Sequence, residues 1–129
     1  MTKNWQVHYY SREDGSMPVK EYIYNLSLRE RAKVMAFIKL LEDRGPNLPR
    51  PYADLLDDGI HELRIKLTGT QTRIFYFFCY QDIIVLTNAF DKHTKKVPID
   101  KIELAKESRT DFMTRFKEND IRRSSKNEF

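Results

Sequence analysis

The stretch from Gly59 to Pro98 reads GIHELRIKL (59–67), TGTQT (68–72), RIFYFFCY (73–80), QD (81–82), IIVLTNAF (83–90) and DKHTKKVP (91–98). Three runs rich in β-branched and aromatic residues predict strands over His61–Leu67, Thr72–Tyr80 and Ile83–Phe90. Gly69 and the Gln81-Asp82 pair supply the turns, and connections this short join antiparallel neighbours. Arg64 and Arg73 interrupt otherwise apolar strands. A charge inside a small sheet is costly unless it is paired or serves a site. The last strand then runs into Asp91-Lys92-His93-Thr94-Lys95-Lys96. Several cations at the end of one sheet point to a polyanionic partner.

Outward from this sheet, Trp5, Val7 and Tyr9 alternate with Gln6 and His8, which predicts a short strand over Trp5–Tyr10. Pro18 suits a first helical turn, and Val19, Tyr22, Ile23 and Leu26 follow at helical spacing. Ser27 and Glu30 form a capping-box pattern, after which Val34, Phe37, Ile38 and Leu41 mark the apolar stripe of a second helix that Gly45-Pro46 ends. The segment from Asn47 to Asp58, with Pro49 and Pro51, reads as an irregular loop pinned to the core by Leu48, Tyr52, Leu55 and Leu56. Pro98 opens a last helix with a sparse stripe of Ile102, Ala105, Phe112 and Phe116. Residues 1–117 thus read as one domain and residues 118–129 as a frayed tail. The expected fold is α+β: a compact antiparallel sheet with an N-terminal helical hairpin packed on one face and a C-terminal helix. The other face is expected to be open or only partly covered, and the cations gather there.

A chain of 129 residues with 40% hydrophobic residues supports one modest core. The net charge of +4 mildly favours an anionic partner. Cys79, the single cysteine, sits between Phe78 and Tyr80 and reads as a small buried residue. The first residues lack an apolar signal region and no run approaches a membrane span, so a cytoplasmic protein with no membrane role is expected. No HxH, HExxH or CxxC spacing is present and His8, His61 and His93 are scattered, so no metal or other cofactor is expected. A Cys79–His93 nucleophilic pair is disfavoured, because a thiol between two rings has a raised pKa.

Strand alternation puts Glu62, Arg64 and Lys66 on one face and Leu63, Ile65 and Leu67 on the other. In the next strand Arg73, Phe75, Phe77 and Cys79 share a face. Both faces of that strand are apolar, so alternation alone leaves open which is the core. If Arg73 joins Arg64, a cationic face with aromatics results, suited to phosphate contacts and base stacking. The bland alternatives are a structural ion-pair network around Glu62 and Arg64, a solvated lysine turn before a helix, and a surface His93.

Taken together, Gly59-Ile60-His61-Glu62-Leu63-Arg64, Arg73-Ile74-Phe75-Tyr76 and Phe90-Asp91-Lys92-His93-Thr94-Lys95-Lys96-Val97-Pro98 resemble the HigB-type toxins of the RelE/ParE superfamily, in a phage-derived branch. The resemblance covers roughly residues 9–112 and extends to Glu103-Leu104-Ala105, Arg109 and Asp111-Phe112. It implies a ribosome-dependent mRNA endoribonuclease that needs no metal and is held inactive by a helix-turn-helix antitoxin (HigA-like). That antitoxin would carry the complex to operator DNA, and the ribosome and mRNA are the other implied partners. Carried over by motif, Arg64, Arg73, His93 and Lys95 form the expected catalytic set, with Arg64 and Arg73 on the scissile phosphate. Lys66, Lys92, Lys96 and His61 form the expected RNA-binding set. Histidine as a residue type titrates near neutrality, which makes His93 the best acid or base candidate. Related toxins often end the last strand in Asp-Tyr-His, where this chain has Asp91-Lys92-His93, so a base-stacking ring is missing. His61 stands where an aromatic is usual. The alternatives are a ParE-like, gyrase-directed toxin on the same fold and a non-catalytic binding module.

Overall fold

The computed structural model describes the backbone of residues 5–127 and the side chains of residues 5–123. Five strands form one sheet: β1 (Gln6–Tyr9), β2 (Ala53–Asp57), β3 (Ile60–Leu67), β4 (Thr70–Cys79) and β5 (Ile83–Lys92), in the order β1-β5-β4-β3-β2. The β2–β3, β3–β4 and β4–β5 pairs are antiparallel, as the short turns require, while β1 runs parallel to β5. The α+β architecture expected from the sequence is the one observed.

The hairpin of α1 (Pro18–Tyr24) and α2 (Leu28–Arg44) covers one face. Pro18 opens α1, and the capping box forms as read, with the Ser27 hydroxyl accepting from the Glu30 backbone and the Glu30 carboxylate accepting from the Ser27 backbone. Gly45 ends α2 at φ +53, and the Trp5 indole sits so close that a Cβ there would lie 2.3 Å from its Nε1. Only glycine meets both demands. Val34, Ile38 and Leu41 reach the sheet and pack with Val19, Leu63, Ile65, Ile74, Ile84 and Leu86. This core is almost wholly aliphatic, with Tyr76 as its fully buried ring.

The other face carries α3 (Ile99–Arg115) and α4 (Glu118–Asn127). Here the core is aromatic: Phe75, Phe77, Phe90 and Phe112 pack with Ile60, Ile83, Val85 and Ile121. Both faces of β4 are therefore core over most of its length. Lys106–Asp57 (2.6 Å) and Arg109–Asp58 (2.7 Å) tie α3 to the β2–β3 turn.

Two parts of the sequence reading are corrected. The segment expected to be an irregular loop contains β2, whose backbone pairs with β3. The prolines that disguise it end at Pro51, two residues before the strand starts. Within that segment Leu48 is buried and Leu56 packs on the aromatic core, but Tyr52 (42%) and Leu55 (57%) are largely exposed. The expected frayed tail forms α4, with Ile121 buried and Arg122 held by Asp82 at 2.8 Å. A polar decapeptide has little intrinsic reason to be helical; among the described residues it is buried Ile121 and Arg122, which pairs with Asp82 and donates to the Tyr80 carbonyl (3.1 Å), that tie it to the rest of the fold. Side chains from residue 124 onward lie outside the described residues. Among the described residues no helix is long and apolar enough to cross a membrane.

Candidate functional site

The α3 face is apolar at one end and charged at the other, and strand register decides where the change falls. Three rows cross β3, β4 and β5 on this face: Glu62–Phe75–Asn88, then Arg64–Arg73–Phe90, then Lys66–Gln71–Lys92. Strict alternation from Val85 would have turned residues 87, 89 and 91 toward α3 instead. A bulge at Thr87, where Tyr76 pairs with Leu86 but Phe75 pairs with Asn88, resets the alternation. The Thr87 hydroxyl donates to the Phe75 carbonyl (3.2 Å), and the Asn88 amide donates to the Lys101 carbonyl (3.3 Å), anchoring α3 beside the bulge. This extra residue puts Phe90 and Lys92 in line with Arg73 and Gln71.

Arg64 and Arg73 face each other directly across β3 and β4. Like charges so placed repel. Glu62, 1% exposed, resolves this by dividing its carboxylate between them. Its Oε2 accepts from Arg64 Nε (3.3 Å) and Nη2 (3.2 Å), and its Oε1 lies 3.0 Å from Arg73 Nε as a charge contact rather than an aligned hydrogen bond. Asp54, beside Glu62 on β2, adds a second carboxylate 3.2 Å from Arg64 Nη2 and 3.0 Å from Arg50. Arg73 is buried and also donates from Nη1 to the Thr72 carbonyl (3.1 Å). Burial pulls its pKa down, Glu62 pulls it back up, and it stays a cation at any physiological pH. The structural ion-pair network considered from the sequence is therefore present, and the two arginines are not free ligands.

Beyond this network the charge is open to solvent. Lys66 is exposed and Lys92 half-exposed, and β5 then leaves the sheet through exposed His93, Lys95 and Lys96. That turn has its own order: Lys92 Nζ donates to the Lys95 carbonyl (3.0 Å) and the Thr94 hydroxyl to the Lys96 carbonyl (2.8 Å). The partial cover expected for this face is thus correct in outline, with α3 over the aromatic rows and the cations beyond them.

His61 is not part of this set. Odd-numbered β3 residues face the helical hairpin, and His61 stacks on Tyr76 (5.2 Å) with its edge toward Phe78 (5.0 Å). Burial lowers its pKa, against a smaller opposing pull from Asp54. It fills the usual aromatic's place as a ring. The Cys79 thiol, half-buried, is pushed up to about 11 by burial and is not a ready nucleophile.

Three features of this region went unread in the sequence. Asp54 was passed over as loop acid, although it lies three residues past Pro51 and is the second residue of a strand. Tyr22 on α1 donates to Asp91 and shares a 2.7 Å hydrogen bond with Thr72, clamping the helix to the back of the charged end. Burial first, then Asp91, raises this hydroxyl to about 12. A cleft of about 350 Å³ also opens where β2 stops short of the end of β3, lined by Phe37, Pro51, Tyr52, Arg64, Ile65, Lys66, Gln71 and Arg73. Among the described residues there is no group of three or more His, Cys, Asp or Glu able to hold a metal ion.

Residues 21–110 match the family model described as phage derived protein Gp49-like (DUF891). That span takes in the second half of α1, all of α2 and β2 to β5, and most of α3, and so the whole cationic end of the sheet. A search of curated proteins found no match. The matched region is well over half of the chain, and the protein belongs to this Gp49-like family, a toxin-like family related to the RelE/ParE-type toxins.

Proposed function

We propose that the protein is the toxin of a type II toxin–antitoxin pair, of HigB type, and that it cleaves mRNA on the ribosome to stop translation. The observation that carries this reading is the three-row end of the sheet, where Arg64, Arg73, Lys66 and Lys92 share one face and His93, Lys95 and Lys96 leave from its rim. Buried Glu62 fixes the arginines, so the cations need little reorganisation when a phosphate arrives. Adjacent strands lie about 4.8 Å apart, so Lys66 and Lys92 stand roughly 10 Å from each other, a span that one phosphodiester and its neighbour can bridge.

In the proposed reaction one group takes the ribose 2′-OH proton, the oxygen attacks the adjacent phosphorus, and another group protonates the departing 5′-oxygen. The unpaired face of Arg64, with Lys66, Lys92, Lys95 and Lys96, holds the phosphates. Arg73 positions Arg64 through their shared carboxylate and adds positive potential from below. His93, at the rim and free to turn toward substrate, is the acid or base. The implied partners are a helix-turn-helix antitoxin that blocks this basic end, and the ribosome with its mRNA. A soluble, cytoplasmic toxin fits the lack of any long apolar helix among the described residues.

One observation favours a second reading. Both arginines already hold carboxylates, which suits a module that binds an acidic protein, as a gyrase-directed toxin would. Mapping mRNA 5′ ends in a translating bacterial extract separates the two. The nuclease reading expects new 5′ ends that appear only when ribosomes are translating. Arrested DNA supercoiling with intact mRNA would instead establish the second.

A further inference from the structure

The cleft at the free end of β3 has a composition that the phosphate-binding role alone does not explain. β2 pairs with β3 only as far as Leu63, so Arg64 to Leu67 form an open edge, closed at its start by the Arg64 backbone N–H donating to the Tyr52 carbonyl (2.8 Å). Two rings flank that edge: Phe37 from α2 and Tyr52 from the segment before β2, with centroids 6.2 Å apart and planes at 57°. Tyr52 is 42% exposed, in a chain most of whose other aromatics are spent in two cores. Three donors face the same space. Lys66 Nζ, Arg64 Nη1 and the Gln71 amide make no hydrogen bond or ion pair among the described residues. Lys33, one turn before Phe37 on α2, adds a further cation by donating to the Lys66 carbonyl.

Rings beside an unpaired lysine, the open Nη1 edge of an otherwise paired arginine and one amide match an aromatic anion with a hydrogen-bonding edge. A cleft of about 350 Å³ is at the small end of ligand sites, too small for a protein segment and suited to a single planar group. We propose that this cleft is a nucleotide subsite that takes one unpaired base of a single-stranded RNA, with Tyr52 stacking on the base, Gln71 contacting its edge, and Arg64 and Lys66 holding the flanking phosphate. The inference rests on the RNA reading above and deepens it, because Arg64 links the two: the base in the cleft sets which phosphate reaches Lys92 and His93. Tyr52 and Gln71 are then specificity residues and not part of the chemistry.

The test is binding of a fluorescent single-stranded RNA hexamer to the full chain, by anisotropy, for the wild type, Tyr52→Ala, Tyr52→Phe and Gln71→Ala. Thermal melts serve as folding controls. Because Tyr52 is largely exposed and its contact with Arg64 is through the backbone, these variants should keep the fold. Stacking on one ring predicts a loss of roughly 5- to 100-fold for Tyr52→Ala. Tyr52→Phe should bind as the wild type does, and Gln71→Ala should change the ranking of hexamers that differ at one base. An abasic hexamer should bind the wild type and Tyr52→Ala equally weakly. The subsite is overturned if Tyr52→Ala binds like the wild type, if the abasic strand binds as tightly as the normal one, or if the wild type binds no RNA. Cleavage that survives with normal Tyr52→Ala binding would sink the subsite alone. A Tyr52-dependent affinity without cleavage in a translating extract would sink the nuclease reading alone.

Discussion

The two faces of the sheet use the same strands for different ends. Toward the hairpin of α1 and α2, alternate residues are aliphatic from Leu63 through Leu67, and the face closes as a conventional core. Toward α3 and α4, the same strands begin with Ile60, Phe75 and Phe77 and finish with Arg64, Arg73, Lys66 and Lys92. One face is committed to stability over most of its area, up to the cleft at the free end of β3, whereas the other trades its last two rows for charge. Glu62 stands at the boundary, fully buried yet bonded to the charged rows. The comparison suggests that function was fitted into the end of a sheet whose fold was already secured by the opposite side.

The boundary residue offers the harshest way to break this picture. Glu62→Ala leaves two arginines opposed with no shared carboxylate. Loss of one partner from a buried charged set costs about 3–5 kcal/mol, and Arg64's partial exposure places this case toward the lower figure. Urea unfolding should show it, together with loss of RNA binding. On the hairpin face, Ile84→Val removes one buried methylene far from the cleft for about 1 kcal/mol and should leave RNA binding unchanged. If Ile84→Val impaired RNA binding as much as Glu62→Ala, the division of labour between faces would be wrong.

Much of the fold was legible because its signals are local. The parity of β3, the capping box at Ser27 and Glu30, and the stripe of Val34, Ile38 and Leu41 depend on spacing within one segment. β2 was hidden because a five-residue edge strand after three prolines has too few positions to show alternation. α4 was hidden because one buried isoleucine in a charged decapeptide carries no period. At the site, the sequence placed Arg64, Arg73, Lys66 and Lys92 at one sheet end, but it offered no sign of the bulge that turns Lys92 the right way. A bulge is a fact of pairing between β4 and β5, and nothing in either strand announces it. His61 was misassigned to the site for a related reason: as a residue type it invites chemistry, while its parity puts it with Leu63 and Ile65.

Smaller effects sharpen the comparison. Tyr22 clamps α1 behind the charged end, and its hydroxyl is raised to about 12 by burial and by Asp91. The folded state thus favours the protonated tyrosine. That stability is fully present below the unfolded value near 10 and is lost as pH rises toward 12. Tyr22→Phe should remove this part of the alkaline loss, seen as a flatter dependence of the urea midpoint on pH between about 10 and 12. Smallest in energy is Lys92→Ala, which should leave stability unchanged and lower the salt dependence of single-stranded RNA binding by about 0.7 in log–log slope, the share of one phosphate contact.

The central claim is that the cationic end of the α3 face, and no other basic surface, cuts mRNA. The most direct test maps mRNA 5′ ends in a translating extract with three proteins: the wild type, His93→Ala combined with Lys92→Ala at the sheet end, and Lys39→Ala on the exposed side of α2. These positions are partly or fully exposed, so folding is not in question. The account predicts ribosome-dependent cuts with the wild type and Lys39→Ala and none with the sheet-end variant. Cuts that persist undiminished in the sheet-end variant, or none with the wild type, would contradict it.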